Sequence, residues 1–216
     1  MNDMELARFN MIEQQIRPWN VLDGRVLELL KKLRREQFVP ADQQALAFMD
    51  TEIPLGLGAS MWHPRVEARA LQALQIKPTD RVLEVGTGSG YLTALLAQLA
   101  QHVTSVEIQP ELSERAARNL ADQPAERISL HVGDAACGWA GEYDVIVLTG
   151  STPLLPEEFQ DALKIGGRLF AIVGDAPMMQ AKRLTCVAPG TFDCDVLFEA
   201  CVAPLQNARQ PERFSF

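Results

Sequence analysis

Three glycines at alternate positions, Gly86, Gly88 and Gly90, follow a short apolar run, Val82-Leu-Glu-Val85, and an acid, Glu84, stands two residues before the first of them. Glycine tolerates φ > 0 and lets a ligand approach the backbone, so such a stretch can cradle the polar body of a nucleotide-like cofactor. Glycines alone would equally suit an ordinary strand-to-helix turn. Other residues point the same way as the cofactor reading. Glu107 closes the strand read over 102–106, and a carboxylate at a strand tip can accept both hydroxyls of a ribose with charge assistance. Asp134, next to Gly133, can accept from an adenine amino group, or the pair can simply turn the chain. Thr149 ends another apolar run, 143–149. No Cys-His or His-Asp constellation and no metal-ligand spacing is visible, so the chemistry on offer is cofactor binding rather than acid–base or metal catalysis. His63 stands alone in a Gly- and Pro-containing segment and reads more readily as structural or solvated.

These residues need elements to position them. From residue 78 the pattern alternates regularly: strands over 82–85, 102–106, 128–132, 143–149 and 168–173, with helices over 91–100, 110–120 and 156–163 between them. A turn at 165–167 precedes the last of these strands, and two antiparallel strands are expected within 180–199 around Ala188-Pro-Gly190. The alternation predicts an α/β fold, a Rossmann-like, doubly wound and mostly parallel sheet ending in an antiparallel strand pair. Ligands of such sheets sit outside the carboxyl ends of the strands, where the strand order reverses. Glu84, the glycines, Glu107, Asp134 and Thr149 all fall at those ends.

Ahead of the alternation, apolar spacing predicts a helix over 5–17 ended by Pro18, a second from an N-cap at Asp23 through Leu33, and a short third over 43–48. They form a helical cap over residues 1–50. Residues 51–64 hold Pro54, Gly56, Gly58 and Pro64 and read as a loop, with Met61 and Trp62 looking exposed; the alternative is a plain connector with Trp62 tucked into the core. A helix over 65–74 follows. Core packing is expected of Cys137 and Trp139, and the polar tail, 206–216, is expected to be loosely held. The whole is read as one domain over 1–216, with its cofactor-binding core at 65–205.

Composition bounds the partners. A chain that is 47% hydrophobic and 22% charged is that of a soluble globule. Its net charge of -8 opposes attraction to nucleic-acid phosphates, and the basic run 31–35 reads as a helix-end cluster. The four cysteines lack paired spacing, the N-terminus lacks the apolar core of a signal peptide, and no run is long enough to span a membrane. A cytoplasmic location follows as the expectation, with neither nucleic-acid nor membrane partners. The oligomeric state stays open.

The glycine spacing separates two cofactors. A dinucleotide fingerprint, Gly-x-Gly-x-x-Gly, would need glycine where this chain has Tyr91, although an NAD enzyme could use Glu107 in the same way. The pattern Glu84-x-Gly86-x-Gly88-x-Gly90 instead resembles the first motif of class I S-adenosylmethionine (SAM) methyltransferases. The resemblance implies a cofactor site made of Glu84, Gly86, Thr87, Gly88, Ser89, Gly90, Tyr91, Glu107, Gly133, Asp134 and Thr149, with Glu84 near the methionine end.

Nearly the whole chain also resembles the protein-L-isoaspartate (D-aspartate) O-methyltransferases. Met11-Ile-Glu-Gln14 is similar to the family's first helix, and Arg34-Arg-Glu-Gln-Phe-Val39 to its Pro-Arg-x-x-Phe-Val segment. Ile53-Pro-Leu-Gly-x-Gly58 resembles its substrate-loop entry, and Val202-Ala-Pro-Leu205 its C-terminal Phe-Val-Pro-Leu. One stretch departs. Where the family reads Gln-Thr-Ile-Ser-x-Pro, this chain has Ala59-Ser-Met-Trp-His-Pro64, so Trp62 stands for the substrate-site serine and Ser60 for the threonine. An indole cannot replace a hydroxyl donor. The resemblance implies methyl transfer from SAM to a carboxylate of a protein or peptide, with Ser60 and Trp62 in the substrate loop. A different small-molecule or protein acceptor, or a SAM-binding derivative without catalysis, is the alternative. The region Gly150-Ser-Thr-Pro153 lacks the Asp/Asn-Pro-Pro-aromatic motif of nucleic-acid amino-methyltransferases.

Overall fold

The computed structural model describes residues 2–212. Helix α1 (Asp3–Met11) is capped by Asn2, whose side chain accepts from the Glu5 amide while Glu5 reaches back to the Asn2 amide. The expected first helix then continues as a π-helical stretch, Ile12–Ile16, and a 3-10 turn, Arg17–Trp19, so Pro18 sits within the last turn. Helix α2 (Gly24–Lys32) begins at Asp23, whose carboxylate accepts from the Arg25 amide at 2.8 Å. A 3-10 segment, Ala41–Leu46, stands where a short helix was expected over 43–48, and another, Arg35–Gln37, lies between it and α2.

The segment expected to be a loop is a hairpin. Strands β1 (Ile53–Gly56) and β2 (Ala59–Met61) pair antiparallel, with Ile53 opposite Met61 and Pro54 opposite Ser60. The backbone is left-handed at Gly56, the last residue of β1, and through the two-residue turn Leu57-Gly58. Pairing fixes the faces, and Ile53, Leu55 and Met61 all turn into the core. Trp62 is buried as well, not exposed, its indole meeting the Phe170 ring edge-on at 5.9 Å. Helix α3 (Pro64–Leu74) follows, with proline in its first turn.

Beyond it lie β3 (Arg81–Val85), α4 (Tyr91–Leu99), β4 (His102–Glu107), α5 (Pro110–Asn119), β5 (Ile128–Val132), β6 (Tyr143–Thr152), α6 (Glu157–Asp161), β7 (Leu163–Asp175), β8 (Met178–Ala188) and β9 (Thr191–Glu199). They form one seven-stranded sheet in the order β5-β4-β3-β6-β7-β8-β9, parallel from β5 to β7 and antiparallel at β8 and β9. This is the α/β, Rossmann-like architecture that the alternation predicts. The expected turn at 165–167 lies inside β7, where the register against β6 jumps from Leu163 to Arg168. Strand β3 has β4 on one side and β6 on the other, so the order reverses there. Val85 pairs with both Val106 and Leu148, which sets the end of β3 level with that of β4 and beside Leu148, from which β6 runs on to Thr152.

Both sheet faces are covered. One face carries Leu83, Val106, Ile146, Phe159 and Leu169. The other joins the cap to the sheet in one cluster, with Ile12, Leu30, Leu71, Leu95 and Phe170 among its members. A cation lies within that second layer. Arg35, read in the sequence as part of a helix-end charge cluster, is wholly buried; its guanidinium donates to Ala47 O at 3.0 Å and Trp62 O at 2.7 Å and pairs with the Glu67 carboxylate. It also lies over the Tyr91 ring, 4.9 Å from the centroid. Removing one partner of a buried pair strands the other charge, so Arg35→Met should cost about 3–5 kcal/mol in urea unfolding. Arg35→Met combined with Glu67→Leu should recover part of that loss.

Candidate active site

The glycine loop is locked by a threonine from the neighbouring strand. Gly86 has φ +95°, and a Cβ there would stand 2.2 Å from Thr149 Oγ1. That hydroxyl lies within donating distance of the Val85 and Gly86 carbonyls, 2.8 and 2.7 Å away. Gly90, also at positive φ, is the N-cap of α4. Two acids flank the loop on adjacent strand tips. Glu107 accepts from the Gly88 amide at 2.9 Å through one oxygen and from the Gln109 amide at 3.0 Å through the other. A carboxylate has about four acceptor positions, so it retains capacity for a pair of hydroxyls. Glu84 is fully buried; its Oε2 accepts from Thr93 Oγ1 at 2.5 Å and Ser105 Oγ at 2.6 Å, while Oε1 has no partner among the described residues. Burial, only partly offset by those two hydroxyls, pushes the Glu84 pKa up to about 8.

The third acid is held by the tail. Asp134 accepts from the Ala136 amide at 3.0 Å and from Asn207 Nδ2 at 2.7 Å. Leu205 N donates to Ser151 O at 2.8 Å, and Gln206 accepts from Gln109 at 2.8 Å while donating to Leu57 O at 3.3 Å. The expectation of a loose tail therefore fails through residue 209, whose guanidinium pairs with Glu158 at 2.7 Å. The expected tail residues 213–216 lie outside the described ones.

These parts form a solvent-open cleft with about 990 Å³ of empty space, the open solvent at its mouth included. Its wall takes in most of the residues expected from the sequence: Ser60 and Trp62 from the hairpin, Glu84, Gly86, Thr87, Gly88 and Ser89 from the loop, then Glu107, Gly133, Asp134 and Thr149. Two expected residues lie elsewhere. Gly90 and Tyr91 are behind the wall, because the helix starting at Tyr91 turns that ring inward against Arg35 and Phe38. The buried Tyr91 hydroxyl has no partner among the described residues, and burial raises its pKa. His63 is bonded to Asp50 at 3.2 Å and is not part of the wall. Cys137 is exposed rather than packed, whereas Trp139 is half-buried against Gly133.

Sequence reasoning missed Glu52, Glu67 and the wall-forming residues 203–206. Only the last had a signal, in Val202-Ala-Pro-Leu205. The lining carries five carboxyl groups (Glu52, Glu67, Glu84, Glu107 and Asp134) and no Lys, Arg or His. Such a wall suits a ligand with net positive charge. SAM, with a sulfonium and an ammonium against one carboxylate, is such a ligand.

Residues 7–208 match the family described as protein-L-isoaspartate(D-aspartate) O-methyltransferase. The chain belongs to that family. A protein-L-isoaspartate O-methyltransferase of Methanoculleus marisnigri is 40% identical over 200 residues, covering 92% of this chain and 90% of its own. One of Rhodopseudomonas palustris is 38% identical, covering 94% and 95%. In fold, the chain superposes with TM-score 0.79 and 20% identity on a Plasmodium falciparum structure described as a protein-L-isoaspartate O-methyltransferase in complex with S-adenosyl-L-homocysteine, covering 95% of this chain and 99% of that one. The protein is thus a SAM-dependent O-methyltransferase. Among the described residues no helix is long and apolar enough to cross a membrane.

Two measurements check how the methyltransferase builds this site. Gly86→Ala should abolish SAM binding, since the added methyl must displace Thr149 from the loop it locks. Glu84 bears on stability through pH. Its folded pKa lies above the ordinary 4.5, so its contribution is fully present below about pH 4.5 and is lost as pH rises through about 8. Glu84→Gln removes that titration. The melting temperature of the cofactor-free variant should therefore match wild type near pH 4.5 and exceed it by several °C at about pH 9.

Proposed function

We propose that the protein transfers the methyl group of SAM to the free carboxylate of isoaspartyl residues in damaged proteins and peptides. The family match over 7–208, which spans the glycine loop, the hairpin and the tail alike, carries this reading. Within it, Glu84 receives the cofactor's ammonium, Glu107 its ribose hydroxyls and Asp134 its adenine amino group. The main chain from Gly86 to Ser89 lets the cofactor lie close. SAM supplies an electrophilic methyl carbon on its sulfonium.

An acceptor carboxylate is already ionised at neutral pH, so no residue has to remove a proton. The chain's contribution is placement, which supplies about 7–11 kcal/mol when reacting atoms are held in line. Methyl transfer would form the acceptor O–CH3 bond as the CH3–S bond breaks, giving a neutral ester and a neutral thioether, and a wall that keeps bulk water out would favour that loss of charge. At the acceptor end the indole of Trp62 is packed on Phe170, and Ser60 is the wall hydroxyl without a hydrogen-bond partner among the described residues. Ser60 takes the donor role for the acceptor. The four unbridged cysteines support a reducing compartment such as the cytoplasm.

The test pairs isoaspartyl and aspartyl peptides of one sequence with SAM and follows the methyl ester by mass spectrometry. Selective esterification of the isoaspartyl peptide is expected. Intact SAM binding with no ester, or equal ester on both peptides, would overturn the assignment. Ser60→Ala should raise the peptide KM about tenfold, the worth of one hydrogen bond, with SAM affinity unchanged.

A further inference from the structure

Four of the five carboxyl groups in the cleft wall are answered. Glu67 has Arg35, Glu107 and Asp134 accept from amides, and Glu84 has two hydroxyls and, in the reading above, the ammonium of SAM. Glu52 is the exception. It lies on the wall, half-buried, and its side chain makes no hydrogen bond or ion pair with the described residues. Burial raises its pKa, against which only the field of His63 acts. His63 itself is engaged by Asp50 at 3.2 Å, and the other Asp50 oxygen holds Arg65 at 2.6 Å.

The hairpin register shows where Glu52 stands. Ile53 and Met61 are the last paired residues, so Glu52 and Trp62 are the next ones outward on the two arms; both line the cleft, and Trp62 stands where the family's serine would be. An acceptor carboxylate entering here meets a second, uncompensated carboxylate. The sulfonium can answer one negative charge but not both, and no Lys, Arg or His lines the cleft to answer the other. The acceptor itself must bring it.

We propose that Glu52 is a specificity-determining residue that selects isoaspartyl acceptors bearing a positive charge next to the isoaspartyl residue. This rests on the isoaspartyl reading above. The test compares kcat/KM for isoaspartyl peptides that differ only in Lys or Glu beside the isoaspartyl position. Wild type should prefer the Lys peptide about fivefold, a typical effect of one partly exposed charge pair with its repulsive counterpart. Glu52→Gln should reduce the preference to less than about twofold, and Glu52→Lys should reverse it. Glu126→Gln, which makes the same change in net charge on an exposed residue at the amino end of β5, should leave the preference intact.

Equal use of both peptides by wild type would overturn the proposal while leaving the isoaspartyl reading in place. So would a preference that survives in Glu52→Gln or vanishes in Glu126→Gln, which would assign it to overall charge. Absence of ester on every isoaspartyl peptide, with SAM bound, would overturn the function and this proposal together.

Discussion

A buried guanidinium sets the relation between the parts of this molecule that carry the cleft. Arg35 arrives from the segment after α2, yet its donors go to Ala47, to the Trp62 carbonyl at the end of the hairpin and to Glu67 in α3, and its flat face covers Tyr91 at the start of α4. A charge removed from water needs all its donors met. Satisfying this one forces cap, hairpin, α3 and glycine-loop helix into a single arrangement. The wall of the cleft is the outer side of that arrangement, and Glu67 belongs to both.

The cleft follows a consistent electrostatic logic. Carboxyl groups recur at the strand tips and along the hairpin, and most are braced by main-chain amides or hydroxyls from adjoining turns, with acceptor capacity to spare. Bracing fixes their direction before any ligand arrives, so little ordering is left to be done on binding. The locked loop contributes in the same sense, because Thr149 fills the space that a side chain on Gly86 would take.

What could be read from the sequence was local or periodic. Strand β6 opens as a nearly continuous apolar run, β3 and β4 are short valine-containing strands bounded by turn and helix signals, and their tips carry residues whose chemistry announces itself. What could not be read was set by distant partners. Arg35 and Glu67 are 32 residues apart, and nothing near either marks it as buried. Each strand of the hairpin is too short to show a period, and docking into the core, not local propensity, makes Met61 and Trp62 inward-facing. Tyr91 follows the last glycine directly, but the first turn of α4 aims its ring away from the ligand side. The tail has no periodic pattern, because its hold comes from individual side chains meeting segments far back in the chain.

That hold has a kinetic meaning. The Gln206 amide spans from Gln109 to the hairpin turn at Leu57, and Asn207 reaches Asp134, so beyond the main-chain bridge of residues 203–205 to Ser151 the rim is fastened by three side-chain hydrogen bonds. Such bonds contribute about 0.5–1.5 kcal/mol each. Unfastening all three leaves the sheet untouched and lies within a few kcal/mol of the closed state, a range in which an open form is visited as a minor population. The rim beyond Leu205 is a latch that thermal motion can work without any part of the core having to unfold.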